Sequence, residues 1–156
     1  MNHNPESKGL SRPGSALFGL LLGVVLLGPG CASWRLWITV RTSPDTNQGR
    51  PLQLLIRSVS TEHFRDETYA DLTQLVLVPD KTVLRLLILE PSDTRRLFLS
   101  VPKDKPLAFY LFFGTTTGSW KMLLPPPHPW SVRIPLGRNG VIVSEVKECR
   151  LGRNLP

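Results

Sequence analysis

The chain has 156 residues, 20% charged and 41% aliphatic or aromatic, which suits one packed domain and excludes both a disordered polymer and a multi-span membrane protein. Nineteen Lys and Arg against twelve Asp and Glu give a net charge of +7, which points to an anionic partner such as nucleic acid or a membrane surface. Fifteen Pro and twelve Gly weigh against long helices, because Pro removes a backbone donor and Gly costs helix stability.

Residues 1–15 are polar, with Lys8 and Arg12 opposed only by Glu6, and lead into an uncharged apolar run at 16–27 (ALFGLLLGVVLL). This is the layout of a secretory signal. The run stops at Gly28, Pro29 and Gly30, and Cys31 follows at once, resembling a bacterial lipobox with Gly28 where Leu is usual. The chain thus divides into a lipoprotein signal peptide, 1–30, and an exported domain, 31–156, with Cys31 as the lipidated residue. The alternative is an uncleaved transmembrane helix, since no charge falls between Arg12 and Arg35. Only Cys31 and Cys149 are present, so a lipidated Cys31 leaves Cys149 without an intramolecular partner; a Cys31–Cys149 bridge is the other option. Export removes nucleic acid from the candidate partners and leaves lipid headgroups, the cell wall and other proteins.

Residues 34–42 (WRLWITVRT) alternate, with Trp34, Leu36, Ile38 and Val40 on one side, the period of a half-buried strand. Turn formers follow at 43–49, then a second strand over 50–58 with Pro51 at its start. Phe64, Tyr69, Ala70, Leu72 and Leu75 fall at helical spacing behind Ser60 and Thr61, predicting a helical insert over 61–75. Short β-rich stretches then recur at 82–89, 95–101, 107–113, 119–124, 131–135 and 141–146, separated by Pro, Gly and Asp clusters. Some eight strands at this spacing predict an all-β, antiparallel β-sandwich. The continuously apolar 107–113 (LAFYLFF) reads as a central strand covered on both faces.

Chemistry is sparse. His63 and His128 have no Cys or carboxylate at metal-ligand spacing, and no phosphate loop, nucleophile elbow or paired-carboxylate motif occurs. Asp66-Glu67 is expected on a solvated face, since neighbouring helical positions point apart. No catalytic residue, cofactor or metal is therefore expected. Arg95-Arg96 and Lys103 with Lys105 read as charges guarding a solvated edge strand, and Trp120 and Trp130 as either an exposed aromatic contact or core packing.

Several stations taken in order resemble the small outer-membrane lipoprotein of type VI secretion systems, the TssJ (SciN) family. They are the alternating strand after the lipobox, Asn47-Gln48-Gly49-Arg50-Pro51, the strand ending in Arg57, Phe64, Tyr69-Ala70-Asp71-Leu72, Leu89-Glu90-Pro91, Ala108-Phe109-Tyr110 and Trp120-Lys121. Ser58-Val59 and the basic tail from Arg150 depart from the pattern. The resemblance implies a transthyretin-like sandwich with a short helical insert, lipid-anchored in the outer membrane and facing the periplasm. It also implies no catalysis, and binding to the periplasmic domain of the inner-membrane protein TssM through the loop joining the first two strands. That loop is Ser43, Pro44, Asp45, Thr46, Asn47, Gln48 and Gly49. It exceeds the two-residue turn that would suffice, and Asp45, Asn47 and Gln48 are expected as free hydrogen-bonding groups, so that replacing Asp45 to Gln48 by a Gly-Ser linker should change stability little. The other function class is a generic lipid-anchored sandwich module for an anionic ligand or headgroup.

Overall fold

A computed structural model describes residues 33–115 and 118–150. The leader 1–30 and Cys31 lie outside them. Two four-stranded sheets pack face to face. The first has the order β4-β1-β7-β8, with β1 Ser33–Thr42, β4 Thr94–Pro102, β7 Ser131–Leu136 and β8 Lys147–Cys149. The second has the order β3-β2-β5-β6, with β2 Leu52–Ser58, β3 Val83–Leu89, β5 Leu107–Phe112 and β6 Lys121–Leu124. The alternating residues predicted to face inward do so: Leu36, Ile38 and Val40 of β1 meet Leu54 and Ile56 of β2 and Leu107, Phe109 and Leu111 of β5 in one core.

Strands β2 and β5 are buried on both faces, as the unbroken apolar run of β5 requires. Their second face, Leu55, Ala108 and Tyr110, is roofed by the helical insert through Leu72, Phe64 and Leu75. The insert is two helices rather than one: α1, Thr61–Asp66, and α2, Tyr69–Leu77. Ser60 caps α1 by accepting from the His63 amide (3.2 Å), and Thr68 opens α2 with a reciprocal capping box to Asp71. Between them Glu67 is extended, so the chain re-enters a helix at a fresh cap.

Two further expectations need correction. The sandwich is not wholly antiparallel, since β1 and β7 pair in parallel, with Ile38 opposite Val132 and Val40 opposite Ile134. A long excursion separates these strands in the chain, which is what a parallel pair needs. Residues 141–146 are not a strand. The Val141 amide donates to the Ser119 carbonyl (2.9 Å), a 3-10 turn closes over Val143–Glu145, and pairing with β7 resumes only at Lys147. Gly140 permits that crossing, because a Cβ there would stand 2.5 Å from the Ser119 amide nitrogen.

Candidate functional site: a braced loop beside a basic groove

The predicted contact loop folds back onto the sandwich. Thr46 is fully buried; its Oγ1 donates to the Leu136 carbonyl (3.0 Å) and accepts from the Ser43 amide (2.7 Å). Asn47 is also buried. Its side-chain oxygen accepts from the Gly114 amide (2.7 Å), its side-chain nitrogen donates to the Pro51 carbonyl (2.7 Å), and its own amide donates to Arg138 (2.9 Å). The Ser92 amide reaches the Ser43 carbonyl from the β3–β4 turn (3.3 Å). Segments at 90–93, 114 and 136–138 thus converge on the loop and clamp it.

Asn47, Gln48 and Gly49 take φ of 51°, 59° and 74°, three successive left-handed residues. Asn tolerates this region and Gly is indifferent to it, but Gln at position 48 is held there at a cost of about 1 kcal/mol. The bracing corrects the expectation that Asn47 is a free group in a dispensable loop, since its side chain is consumed in holding the fold. Exposed are Pro44, Asp45, Gln48 and Gly49, with Ser43 half-buried and bonded to the Asp45 carboxylate (2.6 Å). The side chains that the loop leaves open to solvent are therefore those of Pro44, Asp45 and Gln48.

Beside the loop, Ser43, Pro44 and Ser92 form one wall of an open groove of about 690 Å³. Its floor is the outer face of the first sheet, where Arg41, Arg133 and Lys147 project. The register explains the clustering: Arg133 lies opposite Lys147 and beside Thr39, with Arg41 two residues further along β1 on the same face, and Arg96 extends the row across Thr39 onto β4. The acid in the groove, Glu145, pairs with none of them. Sequence reading missed this site because its cations, Arg41, Arg133 and Lys147, are scattered over three strands far apart in the chain.

Arg95 and Arg96 sit on the edge strand β4, exposed, with Arg95 paired to Asp93 (2.6 Å). Lys103 and Lys105 are likewise exposed. His63 is exposed on α1, whereas His128 is buried with Nε2 donating to the Pro102 and Lys105 carbonyls (3.2 and 2.9 Å). Among the described residues no group of His, Cys, Asp and Glu is placed to hold a metal. Glu67, expected on a solvated face, instead accepts from buried Arg57 (2.5 Å) and from the Tyr110 hydroxyl. Burial first, and the Glu67 carboxylate second, push the Tyr110 phenol well above its usual range.

The model of the IglE N-terminal domain matches residues 53–136. The chain belongs to the IglE family. The match begins within β2 and ends with β7, so it covers the second sheet, the insert and, of the first sheet, strands β4 and β7. No curated protein matches the chain. Among solved structures, the T6SS lipoprotein TssJ1 from Pseudomonas aeruginosa is similar with a TM-score of 0.61 at 18% identity, over 78% of this chain and 100% of its own. Lip of Serratia marcescens, a membrane-bound component of the type VI secretion system, gives 0.59 at 19% identity over 69% and 94%. A chain of a type VI membrane complex gives 0.56 at 12% identity over 69% and 95%. The IglE-family chain thus has the fold of these lipoproteins, the one that its ordered stations resemble.

Proposed function

We propose that this protein is a non-enzymatic lipoprotein of a type VI secretion membrane complex. Lipidated at Cys31, it is anchored in the outer membrane, faces the periplasm and binds the periplasmic domain of a TssM-like inner-membrane component. The observation that carries the reading is the fold shared with named T6SS lipoproteins over 100% and 94% of their chains. The loop supports the location of the contact: a strained, clamped turn presenting Pro44, Asp45 and Gln48 is pre-organised, and pre-organisation lowers the ordering cost of binding.

The test is a calorimetric titration of the partner's periplasmic domain with Asp45→Ala/Gln48→Ala, chosen because both side chains are exposed and the fold does not use Gln48's. Binding weaker by about tenfold or more is expected for two central contacts. Unchanged affinity would move the interface off the loop. The groove favours a second reading, a module for an anionic ligand, since Arg41, Arg133 and Lys147 converge there without an acid partner among the described residues. Arg41→Glu/Arg133→Glu separates the two: it should abolish anion binding if the groove is the site, and leave loop-mediated partner binding largely intact.

A further inference from the structure

The exposed aromatic side chains of the described residues, Trp37, Phe98 and Trp130, gather at one corner of the sandwich. Trp37 and Phe98 are directly opposite on β1 and β4, with ring centroids 4.7 Å apart, and are 51% and 46% exposed. Trp130 is 43% exposed, and its carbonyl accepts from the Trp37 amide (3.0 Å). The other large exposed apolar residues, Leu77, Val78, Ile88 and Val143, are aliphatic and belong to other elements. Around the aromatic corner stand Arg35, two residues before Trp37, and Lys103 and Lys105, in the loop that starts beside Ser33 through its partner Pro102. All three cations are exposed and none is ion-paired among the described residues; Asp104 is the acid between the lysines.

The described chain enters the same strand at Ser33, four residues and about 13 Å along β1 from Trp37. Cys31 precedes Ser33 by two residues, at most about 7 Å of chain. A domain tethered that tightly cannot stand off from the bilayer, so whatever surrounds Ser33 meets the headgroups. Trp bodies partition into that zone, and Lys and Arg find phosphates there while their stems lie along apolar surface.

We propose that this corner is a membrane-docking surface: Trp37, Phe98 and Trp130 enter the lipid interface, and Arg35, Lys103 and Lys105 bind lipid phosphates. The domain is thereby held in one orientation, with the Ser43–Gly49 end of β1 directed away from the anchor. The inference rests on the proposed attachment through the segment ending at Cys31, and the experiment separates the two.

The full-length protein, purified from expressing cells, is reconstituted into phosphatidylcholine vesicles containing phosphatidylglycerol and phosphatidylcholine brominated near the headgroup. Tryptophan fluorescence is expected to be quenched by the brominated lipid. Trp37→Phe/Trp130→Phe, which removes two of the four tryptophans, should lose most of the quenching, and Lys103→Glu/Lys105→Glu should reduce it. Fractional quenching that is the same in all three proteins would overturn the docking surface, and weakened binding of the partner domain by the tryptophan variant would then reassign the corner to a protein interface. Palmitate labelling of wild type and Cys31→Ser, run in parallel, judges the anchor alone. Label lost in the variant with no quenching difference retains the anchor and rejects the docking; equal labelling with a clear quenching difference does the reverse.

Discussion

The outer faces of the two sheets solve the same problem in opposite ways. On the second sheet, α1 and α2 cover the strands, and the charged groups beneath them are neutralised: Arg57 bonds to Glu67 (2.5 Å) and Thr82 (2.9 Å) and approaches Asp80 (3.5 Å). Lys121 closes the end of α1 with bonds to the Phe64, Arg65 and Glu67 carbonyls, its ammonium 4.9 Å from the Phe64 ring centre. On the first sheet, Arg35, Arg41, Arg96, Arg133 and Lys147 are exposed without an acid partner among the described residues, beside the uncovered Trp37–Phe98 pair. Charge that is paired and covered serves the fold, whereas charge left bare on a packed sheet is available to something outside the chain. The expected consequence is a division of labour in which mutations under the insert change stability and mutations on the bare face change association.

The largest effect should come from Arg57→Ala. The guanidinium is almost fully buried, and removing it strands the Glu67 carboxylate, whose side chain is only 17% exposed. Breaking a buried pair from one side costs about 3 to 5 kcal/mol, to be read as a lower urea midpoint at unchanged slope. A cost below about 1 kcal/mol would mean that the insert is not fastened by this network. The same network predicts an alkaline limit. The folded Tyr110 phenol, and more mildly that of Tyr69, is held above the ordinary value of 10 by burial. Their contribution to stability is complete below pH 10 and declines as pH rises from there toward the folded values, by about 1.4 kcal/mol per pH unit for each group that ionises only on unfolding. Tyrosinate absorbance should therefore appear together with unfolding rather than before it, and Tyr110→Phe should flatten the slope. Tyrosinate forming near pH 10 in the folded protein would refute the burial.

Legibility in the sequence follows the same divide. The core of β1 was readable because Leu36, Ile38 and Val40 repeat with the period of a strand, and that of β5 because an unbroken apolar run has no solvent face to offer. The stations that resemble the TssJ family also gain a physical meaning. Arg57, Phe64, Tyr69, Leu72, Tyr110 and Trp120, scattered over some sixty residues, meet at the joint between insert and second sheet, with Tyr69 5.4 Å and Tyr110 6.3 Å from Trp120. What stayed hidden depends on long-range partners. Nothing local distinguishes Asn47 from a solvent loop residue, because the groups that fix it from afar are the Gly114 amide and the Arg138 carbonyl. Glu67 looked solvated beside Asp66 because its partners lie on β2 and β5. The basic row of the first sheet is invisible for the same reason: Arg96, Arg133 and Lys147 become neighbours only through strand register.

The smallest expected effect tests the bare face. Arg133 is exposed and stands directly opposite Lys147 across the β7–β8 pair, so two like charges share one cross-strand position. Such a pair is mildly unfavourable, and an exposed side chain without partners contributes little packing. Arg133→Thr, which keeps a residue suited to a strand, should leave thermal stability unchanged or raise it by up to about 0.5 kcal/mol. The gain should shrink as salt is added, because screening already weakens the repulsion in the parent protein. Paired melts at low and high salt check this directly. A loss of about 1 kcal/mol or more that persists in high salt would exceed what an exposed substitution explains; it would show Arg133 to be part of the sandwich's own structure, and the contrast between the two faces would fail at its most basic row.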